Sequence, residues 1–416
     1  MRRKEIIRVV KILPRKMHET RRTPMDKPNS DIAILGIGTA VPPHRLVQEE
    51  AAQRIAEGLA NLAGNGDAAR WVRRIFRQTS VETRYTCLPD LLESAERSRY
   101  APGSTRPDIP TTRERMEVYR RESVPLALEA ARRALRDSGT PPSAVTHLIT
   151  VSCTGFFLPG LDFELVRGLG LSPEVNRFPV TFAGCAAGLT ALRLARELAA
   201  GNAGACVLAV CVELCSIHIQ PSVDREDLFA ASLFGDGAGA CVVGRAWPEQ
   251  KNVFTLDGAR ATLLPDTADE MLWRVGDTGF QLYLSPRIPS LIEQRVPEVI
   301  TRFLAGSGEA PRWWAIHPGG RGIIDALQRA MGLSDGQTRA SRDILRRYGN
   351  LSSVTILFVL EEIRRELAAK GQAAEPGIAL AFGPGMQAEM VRMTCVPAGS
   401  NRTATHPEEA HAAAVP

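Results

Sequence analysis

The stretch FPVTFAGCAAGLTALRLARELAAGN (178–202) governs the reading of this chain. It opens as a strand, passes through a run of small residues, and then repeats apolar residues at helical spacing until Gly201 stops the helix. A strand that turns directly into a helix is the building unit of an α/β fold. Cys185 lies in the turn. A lone cysteine among apolar neighbours is ordinarily a small core residue. Here a strand and a glycine precede it, a helix opens after it, and its small neighbours leave room for an acyl group and a carrier arm. Backbone N–H groups at a helix N-terminus stabilise a thiolate and lower the thiol pKa. Cys185 is therefore a candidate nucleophile, with a tight structural turn as the plain alternative.

Working outward, strand and helix signals alternate from about residue 31 to 398. Strands are expected at 31–42, 147–155, 206–214, 239–244, 312–320, 377–385 and 389–396, and helices at 122–139 and 351–371. FGDG (234–237) is partly echoed by FGPG (382–385), which points to two related halves, at 31–246 and 247–398. The segment 87–115, rich in Pro, Ser and charge, reads as a surface excursion. Residues 1–30 read as a disordered basic arm, with Met17 and Met25 as alternative starts, and 399–416 as a disordered tail.

The formal charge of +5 is misleading for function. Ten Lys or Arg against three acids fall in residues 1–30, leaving 41 basic against 43 acidic residues in the remainder. The body is not basic, so no nucleic-acid partner is expected. The arm lacks the uninterrupted apolar stretch of a secretory signal, and no window is apolar for long enough to span a bilayer. The eight cysteines include no CxxC pair and mostly sit in apolar runs, as reduced thiols of a cytoplasmic protein would. Cys211 and Cys215 have no His or Cys partner nearby, so no metal site is expected.

Two further residues fit chemistry around Cys185. His317, in AIHPGG, follows a strand and precedes a sharp bend poor in side chains, which leaves its imidazole facing open space. A neutral imidazole can donate a hydrogen bond to a developing oxyanion. Asn350, in YGNLSS, stands before a helix, where it reads equally as an N-cap or as a second neutral donor.

The ordered set GCAAGLTALR (184–193), LFGDGAGA (233–240), HPGG (317–320), YGNLSS (348–353) and FGPG (382–385) resembles the type III polyketide synthases, the chalcone synthase family. The likeness runs over about 31–398. It implies a duplicated thiolase fold in αβαβα layers, a homodimer, and a catalytic triad of Cys185, His317 and Asn350. It also implies acyl transfer from an acyl-CoA to Cys185, kept ionised by His317. Decarboxylation of malonyl-CoA, iterative Claisen condensation and cyclisation would follow. Malonyl-CoA and acyl-CoA are substrates, and no metal, flavin or phosphopantetheine prosthetic group is implied.

By the same resemblance Phe234 and Phe280, otherwise plain core residues, are gatekeepers between the CoA tunnel and the reaction cavity. Arg73, Arg74 and Arg77, otherwise a solvated helix face, hold CoA phosphates, with Gln78 where a lysine is common. Cys153, Thr154, Leu158, Cys215, His218, Met271, Ser352, Gly383, Pro384 and Gly385 line the substrate pocket, and Ala381 replaces a usual glycine. Plant chalcone synthases carry threonines where Cys215 and His218 stand and glycine where Met271 stands, which argues against a coumaroyl starter. These positions resemble bacterial members that make tetrahydroxynaphthalene from malonyl-CoA, or alkylresorcinols and alkylpyrones from fatty acyl starters. Met271 is expected to narrow the cavity, and an alkyl tunnel to open near Cys215. The alternative is a ketoacyl-acyl-carrier-protein synthase III performing one condensation, against which HPGG and FGPG both argue. A non-enzymatic binding module is the other alternative, distinguished by retention of function in Cys185→Ala.

Overall fold

The computed structural model describes residues 31–60, 62, 68–105, 108–247, 250–370 and 373–397. The basic arm at 1–30 and the tail at 399–416 lie outside them. One nine-stranded sheet organises the chain. From one edge its strands run Trp313–Ile316, Glu375–Gly383, Gln387–Val396, Val253–Leu263, Ile32–Ala40, Asp236–Arg245, Val207–Leu214, His147–Ser152 and Asn176–Thr181.

The order contains a repeat. In the first half His147–Ser152 pairs parallel with Val207–Leu214, which pairs antiparallel with Asp236–Arg245, which pairs antiparallel with Ile32–Ala40. In the second half Trp313–Ile316, Glu375–Gly383, Gln387–Val396 and Val253–Leu263 repeat that sequence of pairings. The halves meet where Ala33 pairs with Thr255 and Ile34 with Phe254. FGDG and FGPG each lead into the antiparallel strand of their own half, so the echo marks equivalent places.

Period-two burial shows how the layers form. Val207, Ala209 and Cys211 face a central core shared with helices Ala187–Gly201 and Thr355–Ala369. The alternate residues Leu208, Val210 and Val212 face helix Thr112–Ser138. In the second half Ala379 and Ala381 face the central core, whereas Ile378 and Leu380 face helices Ile288–Leu304 and Arg321–Met331. Such strands are covered on both sides, which is why they read as continuous apolar runs and not as alternating ones. Ala381, the departure from the family pattern, thus packs in the central layer and away from any cavity.

Two expectations need correction. The helix expected at 122–139 begins at Thr112, because Thr111 and Glu114 form a capping box there. The segment 87–115 is only in part a surface excursion. Cys87, Leu88 and Tyr100 join the core, and Arg115 is fully buried, donating to the carbonyls of Pro110, Ile217 and Ile219. Glu93, Ser94, Glu96 and Arg97 stay exposed between these buried residues.

Candidate active site

Both central helices begin at the same place. Gly188, in the first turn of Ala187–Gly201, approaches the start of the other helix so closely that a Cβ there would lie 2.3 Å from the Ser353 carbonyl oxygen. This contact brings the Cys185 turn against the loop that carries Asn350 and Ser352. Gly184 has φ of 71°, and a Cβ on it would lie 2.0 Å from Cδ of Pro384. The first motif and the FGPG loop are therefore packed onto one another.

These segments enclose a cavity of about 460 Å³. Cys185, His317 and Asn350 all line it, as do Phe234, Phe280, Cys153, Thr154, Cys215, His218, Met271, Ser352 and Pro384. Gly383 and Gly385 do not reach it, and they flank Pro384 as backbone. Leu158 does not line it either: it is 91% exposed, because the loop that ends in the cis Leu158–Pro159 bond turns outward.

Asn350 is oriented by its neighbours. Its backbone bonds to Leu233 and Gly235 on either side of Phe234, at 2.9 and 3.0 Å. Its side-chain Oδ1 accepts the Ser352 N–H at 2.8 Å. A backbone N–H can only donate, so the amide oxygen must face it, and Nδ2 is turned toward Gly319 and the Cys185 sulfur. The N-cap of the 3₁₀ turn Ser352–Val354 is Leu351 and not Asn350, whose oxygen reaches the first N–H of that turn from one position further out. Ser352 takes φ of 50° and gives its hydroxyl to Cys185. A non-glycine residue in that region is strained, and such strain concentrates at functional sites.

His317 follows strand Trp313–Ile316 and is held by its own N–H to the Leu380 carbonyl at 2.8 Å. Both ring nitrogens are buried without a hydrogen-bond partner, and burial pushes the imidazole pKa down to about 3. Burial pushes the Cys185 thiol up to about 11, opposed by the hydrogen bonds from Ser352 and Asn350. No hydrogen bond joins the imidazole to Cys185, and desolvation favours the neutral form of each group. An unpartnered neutral imidazole is still a ready hydrogen-bond donor or proton acceptor for a group that enters the cavity.

Sequence reasoning missed Glu213, which sits behind this turn in strand Val207–Leu214. It is fully buried and accepts the Cys153 N–H at 2.9 Å, the Thr154 hydroxyl at 2.8 Å and the Ser353 hydroxyl. The apolar run CVLAVCVEL gives no sign that its one acid turns inward toward two separated segments. Trp273 was also missed; its Nε1 donates to the Cys153 carbonyl at 2.7 Å.

The remaining wall is aromatic. His218 stacks on Phe280 with ring centroids 4.1 Å apart, and Trp273 meets Phe280 edge-on at 5.7 Å. His218 Nδ1 accepts the Phe280 N–H at 3.0 Å, so Nε2 carries the proton and donates to the Thr154 carbonyl at 2.6 Å. The ring is a strut between two wall segments, and burial lowers its pKa to about 3.

Arg73, Arg74 and Arg77 stand on helix Ala68–Gln78, away from the catalytic trio. With Arg70, Gln78 and Arg321 they line an adjoining cavity. Arg73 bonds Gln53 at 2.6 Å and Arg77 faces Glu49 at 3.5 Å.

A duplicated α/β sheet around two central helices, with cysteine, histidine and asparagine converging where those helices start, defines a condensing enzyme of the thiolase fold. The chain belongs to the chalcone and stilbene synthase family: the N-terminal domain model of that family matches residues 19–247 and the C-terminal domain model residues 255–397. It is thus a type III polyketide synthase, an acyltransferase of the condensing class. It is 34% identical over 374 residues to type III polyketide synthase 10 of Oryza sativa subsp. japonica, covering 86% of this chain and 90% of that protein. The C-terminal type III polyketide synthase domain of Steely1, a type I/III hybrid from Dictyostelium, superposes with a TM-score of 0.80 at 27% identity. That match covers 88% of this chain and 100% of the domain. PKS-I from the brown alga Ectocarpus siliculosus gives 0.79 at 29% identity, covering 88% and 98%. The single-condensation synthase III reading is not favoured by these likenesses. Among the described residues, no helix is long and apolar enough to cross a membrane.

Proposed function

We propose that the enzyme loads an apolar acyl group from a CoA thioester onto Cys185 and extends it with malonyl-CoA to an alkylresorcinol- or alkylpyrone-type product. One observation carries the choice of starter. The polar groups of the inner wall are already engaged by protein: the Thr154 hydroxyl by Glu213, both His218 nitrogens by backbone, the Trp273 N–H by the Cys153 carbonyl. A chain built from malonyl units alone carries a carbonyl on every second carbon, and each loses its hydration on this wall without a replacement donor. An alkyl chain loses nothing there.

In this reading His317 takes the Cys185 proton as sulfur attacks the thioester carbonyl, and returns it to the departing CoA thiolate. Malonyl-CoA next loses carbon dioxide. The resulting enolate oxygen receives hydrogen bonds from His317 and from Asn350 Nδ2. Because burial disfavours the imidazolium, His317 donates a hydrogen bond without delivering a proton to the carbanion. Carbon–carbon bond formation then expels the Cys185 thiolate, ready for reloading. Phe234 and Phe280 act as gatekeepers that keep this region dry, which favours loss of carbon dioxide from a desolvated carboxylate.

The test is incubation with malonyl-CoA, with and without long-chain acyl-CoA, followed by mass spectrometry. Products bearing the acyl chain are expected. A product formed equally well without acyl-CoA overturns the alkyl starter and favours tetrahydroxynaphthalene chemistry.

We also propose that the enzyme is a homodimer whose interface covers the loop around Leu158. Phe156 is 51% and Phe182 37% exposed beside it, and both rings reach the buried Phe280, at 6.4 and 5.3 Å. Exposed aromatics packed on a cavity wall are the kind of patch a partner covers. Light scattering of wild type and Leu158→Asp tests this, with a dimer expected only for the wild type.

A further inference from the structure

Helix Ala68–Gln78 carries four arginines and ends on the uncharged Gln78. The fold supplies another arginine from the other half of the chain. Arg321 opens helix Arg321–Met331, four residues beyond His317. It lines the adjoining cavity together with Arg70, Arg73, Arg74, Arg77 and Gln78, and it also lines the catalytic cavity. Gln78 and Arg321 are the residues common to both spaces, so they mark the passage between them.

We propose that Arg321 is a phosphate-binding residue of this synthase, closing from the C-terminal half a clamp on the CoA phosphates that Arg73, Arg74 and Arg77 form from the N-terminal half. This rests on the reading of CoA thioesters as substrates. The charge supports it. Five arginines converge on one opening, and cations gathered at this density repel one another unless an anion occupies the space between them. Local acids do not supply that anion in full. Arg321 is paired with Asp325 at 3.1 Å within its own helix, but Arg74 has no ion pair among the described residues. A CoA tail carries a pyrophosphate and a ribose phosphate, and guanidinium groups bind such oxygens in bidentate fashion. Arg321 is exposed, and its pair with Asp325 is a surface one that a more highly charged partner can displace. Arg321 lines the catalytic cavity as well, which Arg70, Arg73, Arg74 and Arg77 do not, and that place suits the phosphates next to the pantetheine arm.

The experiment compares Arg321→Gln, Arg321→Lys and wild type on CoA thioesters and on N-acetylcysteamine thioesters of the same acyl groups, which lack every phosphate. The expected result is a rise in KM for malonyl-CoA of about ten-fold in Arg321→Gln, as for loss of one charge-assisted hydrogen bond. The preference for CoA over N-acetylcysteamine thioesters, taken as a ratio of kcat/KM, falls by the same factor. Arg321→Lys retains part of that preference. Calorimetric titration of free CoA reads the same loss without turnover, so it stays informative even if the starter or the reaction has been misassigned. An unchanged Kd for CoA in Arg321→Gln overturns the proposal. So does an equal loss on both kinds of thioester, which is the mark of a structural or catalytic role.

Discussion

The Asn350 side chain accepts the Ser352 N–H at 2.8 Å, and this single bond decides which end of the amide faces Cys185. Asn350→Asp keeps an oxygen for that N–H but removes the donor on the other side. The variant should fold normally and lose about 100-fold or more in malonyl-CoA decarboxylation, the usual scale for removing one oxyanion donor. Near-wild-type carbon dioxide release would show that Asn350 only orders the Ser352 loop.

Gly184→Ala tests the contact between the nucleophile turn and the FGPG loop. The new Cβ would sit 2.0 Å from Pro384 in a left-handed backbone, and neither side has a flexible group that can yield. Loss of stability above about 3 kcal/mol is expected from clash and strain together. Urea unfolding reads it, and a change below 1 kcal/mol, taken as about the scale of a surface substitution, contradicts the packing described.

Glu213→Gln replaces one oxygen of the buried acceptor with a donor. The Cys153 N–H, the Thr154 hydroxyl and the Ser353 hydroxyl then compete for the remaining oxygen. Destabilisation of about 1–3 kcal/mol is expected from the unpaired group. Because Cys153 also bonds the Gly184 N–H at 3.0 Å, acylation of Cys185 should slow in parallel. Stoichiometric labelling with a radiolabelled acyl-CoA measures that second effect.

His218 makes the fold sensitive to acid. Its folded pKa, about 3, lies below the ordinary value of 6.5, so the unfolded chain binds a proton that the folded chain refuses. Stability is thus full above pH 6.5 and falls as pH drops toward about 3, by up to about 1.4 kcal/mol per unit for this group. His317 adds a slope of the same sign. Urea midpoints measured between pH 7 and pH 5, taken as roughly the window where an unperturbed histidine titrates, should fall less steeply in His218→Gln than in wild type. Parallel slopes would mean that the ring is protonated in the fold.

Much of the architecture is legible in sequence because burial on both faces leaves an apolar signature. Val207–Leu214 and Glu375–Gly383 were recognisable as strands for that reason, and helix Ala187–Gly201 by its period. Helices such as Ile288–Leu304 and the hairpin from Met271 to Leu284 carried no equally clear mark. Leu158 shows the reverse case: an apolar residue beside pocket positions, expected in the pocket, stands exposed and does not line this chain's cavity. Side-chain direction in a loop is set by tertiary packing, and local sequence does not encode it.

By itself the sequence determined that Cys185 stands between a strand and a helix, and that His317 and Asn350 follow in the family's order. Local backbone preferences and short motifs are enough for that. Only the tertiary structure decided that these three share one cavity, that Glu213 turns inward behind them, and that Arg321 joins arginines more than 200 positions away. The burial that favours the neutral forms of Cys185 and His317 was likewise invisible in one dimension. It arises from desolvation, and desolvation is a property of the enclosed space rather than of either residue.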